Sequence, residues 1–250
     1  MVNSTSTILS ERYLNLEKIK TSLINSFGSR ILSAIVYGST LNEDFCQYSD
    51  YDILLVVDFP DVEFLKRLKE IKETYLKENI KIDFNTHSKE DIPAIRKELF
   101  WHNNRGVYVQ KEFDLYGTLL IGENLFKSNC VDKGDMLREA VRVINSLNYQ
   151  ARKLLVNKDM TICENKILMM KWCIYASLYA LASRGIYPST KQLALKTFYE
   201  VFKSPINPET FLKLKINNSE TISDEDIEQA YSFLNYLDTK IYADYKIYVR

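Results

Sequence analysis

Two aspartates one residue apart, Asp50 and Asp52, open the apolar run "DYDILLVV", and ten residues before them Gly38-Ser39 closes the run "AIVYGS". In extended chain, residues i and i+2 share a face, so Asp50 and Asp52 are expected side by side. Neighbouring like charges repel, and one of the pair should take up a proton unless a cation holds both. A glycine at the end of a strand lets the backbone approach a ligand closely, and such a turn can aim N–H groups at phosphate oxygens. A third carboxylate, Asp83, lies between Ile82 and Phe84 in "IKIDFNTHS". Its apolar flanks should face a packed layer and leave the carboxylate on the other side. Three oxygen donors of this kind suit magnesium or manganese. Two such ions, about 4 Å apart, would clamp the attacking and leaving oxygens of a phosphoryl-group displacement. A Gly-Ser turn alone means little, and Asp-x-Asp can be a capping device. The weight lies in the conjunction of strand, turn, paired carboxylates, helix and third carboxylate.

The elements that must position these residues are legible in the hydrophobic periodicity. A helical face recurs from about residue 9 to 29, with Gly28 as its stop. "ILSAIVYG" and "YDILLVVDF" read as strands, "VEFLKRLKEIKETYLKEN" as an amphipathic helix, and "IKIDFNTHS" as a third strand. "SKEDIPAIRKELFWHNNRG" reads as a capped helix and loop, and 118–121 as a last edge strand. Beyond about residue 126 four segments carry helical apolar faces, separated by Gly185, Pro188, Pro205 and Pro208. The expected fold is α+β: a mixed β-sheet domain with flanking helices over 1–125, then a helical bundle over 126–250. Met169, Met170 and the tyrosine-rich helical faces are expected to be packing.

Composition bounds the rest. The chain has 250 residues, 46% hydrophobic and 26% charged, and 33 basic residues balance 33 acidic ones. That balance lowers the expectation of a duplex-binding protein. No apolar run reaches the length of a bilayer span, and the N-terminal stretch turns charged too early for a signal peptide. Cys46, Cys130, Cys163 and Cys173 are scattered, so a reducing cytoplasm is expected rather than a disulfide framework or zinc site. His87 and His102 are expected in loops or at the surface.

"YGSTLNEDFCQYSDYDILL", with Asp83 in "KIDFN", resembles the nucleotidyltransferase superfamily that includes the DNA polymerase β palm. The resemblance is nearest to small bacterial enzymes such as the aminoglycoside nucleotidyltransferases, which carry a helical domain after the catalytic one. It covers roughly the first half of the chain. It implies that Asp50 and Asp52 ligate two metal ions, that Asp83 completes the site, and that Gly38 and Ser39 hold the β- and γ-phosphates of a nucleoside triphosphate, ATP foremost. An acceptor hydroxyl would attack the α-phosphate and release pyrophosphate. Asp83, or a carboxylate from the helical domain, would take the proton. "ENKILMMKW" and "GIYPSTKQLA" are loosely similar to helical segments that contact the triphosphate, which makes Lys171 and Lys191 candidates.

Three functions remain open on the sequence. The first is transfer to a small hydroxylated acceptor such as an aminoglycoside-like antibiotic, which Glu98, Asp114 or Glu139 could meet if it is cationic. The second is modification of a protein or RNA by a minimal nucleotidyltransferase of toxin–antitoxin type, against which net neutrality argues mildly in the case of RNA. The third is a catalytically silent nucleotide-binding regulator, disfavoured because all three carboxylates are present.

Overall fold

The structure is a computed structural model and describes residues 3–41, 49–91, 108, 111, 113, 115–125, 132–206, 210–212 and 222–248. The chain divides into two compact units, Met1–Phe100 with Val109–Asn129, and Trp101–Tyr108 with Cys130–Arg250. The architecture is α+β, with a mixed sheet and flanking helices followed by a helical region.

The first unit runs α1 (Asn3–Phe27), β1 (Ile31–Tyr37), a 3-10 turn (Gly38–Leu41), β2 (Tyr51–Val57), α2 (Val62–Lys77), β3 (Ile82–Ser88) and β4 (Thr118–Gly122). Strand order is β3-β2-β1-β4. β1 is antiparallel to both β2 and β4, while β2 and β3 are parallel. A parallel pair needs a crossover, and α2 supplies it. Ala34 and Val36 of β1, Tyr51, Ile53, Leu55 and Val57 of β2, and Ile82 of β3 form one core with Leu16, Ile19 and Leu23 of α1 and Phe64, Leu68 and Ile71 of α2. Leu54 and Val56, which alternate with those β2 residues, are also fully buried. An interior strand covered on both faces reads as the continuous apolar run seen in the sequence.

Two polar ties set the helices on the sheet. The Asp61 carboxylate caps α2 by accepting from Phe64 N at 2.7 Å, and Arg30, just before β1, pairs with the same carboxylate at 2.8 Å. Those contacts hold the Asp61 carboxyl below its ordinary range, the Phe64 N–H contributing most. Asn15 of α1 donates to Tyr51 Oη at 3.1 Å. Burial of that tyrosine pushes its phenol pKa up.

The second unit contains α3 (Lys133–Asn157), α4 (Cys163–Ser183), α5 (Lys191–Phe202) and α6 (Asp224–Tyr248). α3 packs on α4 and α6, and α4 also contacts α5 and α6. Asp132 caps α3 through Gly134 N at 2.6 Å, and Thr190 caps α5 through Leu193 N at 3.1 Å. Met169 and Met170 are fully buried, as packing residues should be. Among the described residues no helix is long and apolar enough to cross a membrane.

Two expectations are corrected here. His87 is not a loop or surface residue. It is buried on β3, with Nδ1 3.9 Å from Asp91 Oδ2. Glu139 offers no surface charge to a ligand, being fully buried and accepting Tyr108 N at 3.2 Å. Most of the expected helix after β3, together with Glu98, His102, Asp114, Cys46 and Cys130, lies outside the described residues. Its start is visible where Ser88 N donates to Asp91 Oδ2 at 2.7 Å and Asp91 N donates back to Ser88 Oγ at 3.3 Å, a reciprocal cap.

Candidate active site

The site is built where β1 ends and β2 and β3 begin. Tyr37, the last residue of β1, stands opposite Asp52 of β2, and Asp52 stands opposite Asp83 of β3. Register partners in a sheet point to the same side, so these two carboxylates lie on one face, on backbones roughly 4.8 Å apart. That face is opposite to the α1 and α2 layer, because Ile82 and Phe84 turn toward the helices.

Gly38 makes the turn possible. Its φ of +69° lies in the left-handed region, and a Cβ placed on it would stand 2.7 Å from Asp52 Oδ2. The glycine therefore serves two ends at once: it bends the chain out of β1, and it leaves room for the Asp52 carboxylate directly against the turn. Ser39 follows, partly buried. Thr40, fully buried, fastens the turn to the start of β2. Its Oγ1 donates to Asp50 O at 3.2 Å and lies 3.4 Å from Asp52 N. The sequence does not single out Thr40, because a hydroxyl just inside a Gly-Ser turn has no local signature.

The three carboxylates are held differently. Asp52 is partly buried inside the ladder. Asp50 is exposed and precedes the first ladder residue, so strand pairing does not fix its side chain as it does that of Asp52. Asp83 is half-exposed on the edge strand β3, where Lys72 of α2 reaches its Oδ1 at 3.6 Å. Among the described residues, no three aspartate, glutamate, histidine or cysteine side chains are grouped to hold a metal ion. Magnesium rarely relies on a cage made only of protein; it takes one or two carboxylates and completes its shell with water and substrate phosphates. A carboxylate pair beside a turn emptied of its Cβ fits that habit. Lys171 is exposed on α4 and Lys191 opens α5, so both belong to the second unit, while Gly38, Ser39, Asp50, Asp52 and Asp83 belong to the first.

Residues 16–102 match the family model described as "Nucleotidyltransferase domain", a span that holds the turn and all three carboxylates. Among solved structures, the chain is similar in fold to a spectinomycin adenyltransferase, AAD(9), from Enterococcus faecialis, solved with ATP and spectinomycin. The TM-score is 0.58 and identity 13%, with 92% of this chain and 98% of that chain covered. A nucleotidyltransferase-like protein from Exiguobacterium sibiricum 255-15 aligns at a TM-score of 0.37 and 10% identity, over 94% of this chain and 79% of that one. No curated protein matches the chain.

Proposed function

We infer from the match of residues 16–102 to a nucleotidyltransferase domain that the chain transfers nucleotidyl groups from nucleoside triphosphates. We propose that the acceptor is a hydroxyl on a small molecule and that catalysis depends on magnesium or manganese. The observation that carries this reading is the left-handed Gly38 set against the Asp52 carboxylate, with Asp83 in register beside it. Such a turn accommodates phosphate oxygens at the place where acidic oxygens could share a cation with them.

In the proposed reaction the acceptor oxygen forms a bond to the α-phosphorus. The bond from that phosphorus to the bridging oxygen of the β-phosphate breaks, and pyrophosphate leaves with the electron pair. Gly38 and Ser39 hold the β- and γ-phosphates. Asp52 and Asp50 would hold a divalent ion, and Asp83 takes the acceptor's proton. A divalent ion, when bound, would neutralise charge on the phosphates and polarise the α-phosphorus. The similar adenyltransferase, solved with ATP and spectinomycin, supports ATP as donor and an aminocyclitol or related hydroxylated compound as acceptor.

The test is pyrophosphate release from labelled ATP, GTP, CTP and UTP with magnesium and a panel of aminoglycosides, aminocyclitols, RNA and proteins. Nucleotide joined to a small acceptor supports the proposal. Label joined only to RNA or protein, or no transfer at all, overturns it.

A further inference from the structure

On the carboxylate face, two residues beyond Asp83, Asn85 is held in a fixed orientation. Its Nδ2 donates to Tyr37 Oη, a contact that joins β3 to β1 across the intervening strand β2. The Tyr37 ring is itself held edge-on by the buried Phe113, with centroids 4.9 Å apart and planes at 80°. The sheet does not need this chain of contacts for its register, because β2 and β3 already pair over the whole of both strands, from Tyr51↔Ile82 to Val57↔Ser88. What the contacts do fix is the Asn85 amide, which an exposed asparagine would leave free to rotate. With its nitrogen on Tyr37, the Oδ1 atom receives no hydrogen bond from the described residues, and the side chain stays partly exposed.

We propose that Asn85 is a specificity-determining residue for the acceptor: its Oδ1, oriented through Tyr37, accepts a hydrogen bond from a hydroxyl or ammonium group neighbouring the hydroxyl that reacts. The proposal rests on the reaction proposed above. Asp83 and Asn85 lie on one face of one strand, roughly 6.6 Å apart along it. A single sugar- or cyclitol-sized ring can reach both, placing its reacting hydroxyl at Asp83 and a second donor at Asn85. Asp52, Asp83 and Asn85 Oδ1 are all acceptors, so the ligand edge that meets them must carry donors. Orientation fixed before binding spares the ligand the cost of ordering the amide. The acceptor class is therefore a polyhydroxylated or amino-substituted ring, and a simple monohydric alcohol is a poor substrate.

The experiment uses the full chain with ATP, magnesium and the acceptor that wild type turns over, beginning with spectinomycin. It separates kcat, acceptor KM and ATP KM in Asn85→Leu, Asn85→Asp and Tyr37→Phe. Asn85→Leu should raise acceptor KM about tenfold, the size of one lost hydrogen bond in a desolvated site, with ATP KM unchanged. Tyr37→Phe should raise it about threefold by freeing the amide, and Asn85→Asp, which keeps an acceptor oxygen, should recover most of the Asn85→Leu loss. An acceptor lacking the neighbouring hydroxyl should bind wild type and Asn85→Leu equally. Unchanged acceptor KM in Asn85→Leu, or an equal rise in ATP KM, overturns the assignment. Should Asn85→Leu not fold, Tyr37→Phe decides by the same split: a rise in acceptor KM alone supports the assignment, and no rise overturns it. Wild type that transfers to no small acceptor brings down the proposed function and this inference together, whereas normal wild-type turnover with indifferent variants brings down only the inference.

Discussion

Replacing Gly38 by alanine tests the site with one methyl group. The backbone there has φ +69°, and the new Cβ would lie 2.7 Å from Asp52 Oδ2 and 3.5 Å from Asp52 Cγ. The left-handed conformation costs an alanine about 1–2 kcal/mol, which for a chain of this length lowers the melting temperature by about 2–8 °C. The contact adds a local effect, since ordinary van der Waals separation begins near 3.4 Å and the carboxylate oxygen must move by about 0.7 Å. Displacing a catalytic group by about 1 Å can cost about 100-fold in rate, so transfer should fall by that order while the second unit keeps its fold. Gly28 provides the control. Its φ is +53°, but a Cβ there meets nothing within 4 Å. Gly28→Ala should therefore lose a similar amount of stability and little activity. Pyrophosphate release, calorimetric titration with magnesium–ATP and thermal melts of both variants make the comparison. Full turnover in Gly38→Ala, or equal losses of turnover in both variants, would refute the placement of the Asp52 carboxylate against a phosphate turn.

Asp50→Asn and Asp52→Asn should each reduce pyrophosphate release at least about 100-fold with melting curves unchanged or slightly raised, because one of two neighbouring like charges is removed; a much lower melt would mark the pair as structural. Asp83→Asn should spare ATP affinity in calorimetry while turnover falls about 100-fold, and a parallel loss of both would make Asp83 chiefly a metal ligand. Thr40→Val should destabilise the chain by about 1–3 kcal/mol in urea unfolding by removing the hydroxyl that serves Asp50 O, with an unchanged midpoint counting against that bridge. Asp61→Asn should be less stable than wild type at neutral pH. A carboxyl held below its ordinary range stabilises the fold above its unfolded pKa, and that contribution fades as pH falls from about 4 through the lower folded value. Melts of the two proteins that converge as the pH is lowered agree with this; a gap that stays as wide in acid as at neutral pH does not.

The strands and helices are legible in the sequence because each has a local period. "YDILLVV" is apolar throughout since β2 is interior and covered on both sides, and "IKIDFN" alternates since β3 is an edge strand with one face in the core. The same alternation sets Asp83 on the face opposite Ile82 and Phe84. What the sequence withholds are contacts between residues far apart along it. Asn85 and Tyr37 are 48 positions apart, and nothing near either residue announces the other. Lys72 reads as one more charge on an amphipathic helix, and only the packing of α2 beside β3 brings it to Asp83. His87 misleads for a related reason: a polar residue near a strand end suggests a surface, yet register places it on the same face as Leu54 and Val56, where neighbours bury it. Glu139 reads as helix-surface charge, and burial against the Tyr108 amide depends on a segment outside its own helix.

The order β3-β2-β1-β4 gives the strands that carry the carboxylates unequal freedom to change over generations. β1 and β2 are bonded on both sides, so a substitution that alters their path is transmitted to neighbouring strands and tends to be purged. β3 is bonded on one side only, and its outer margin can drift, lengthen or exchange side chains at a smaller cost to the sheet. A lineage can therefore retain the turn and Asp52 almost unaltered while residues around Asp83 and Asn85 are sampled freely. Diversification of this enzyme should leave its trace on one margin of the sheet, and a library randomised at 84–88 should yield more folded proteins than one randomised at 52–56.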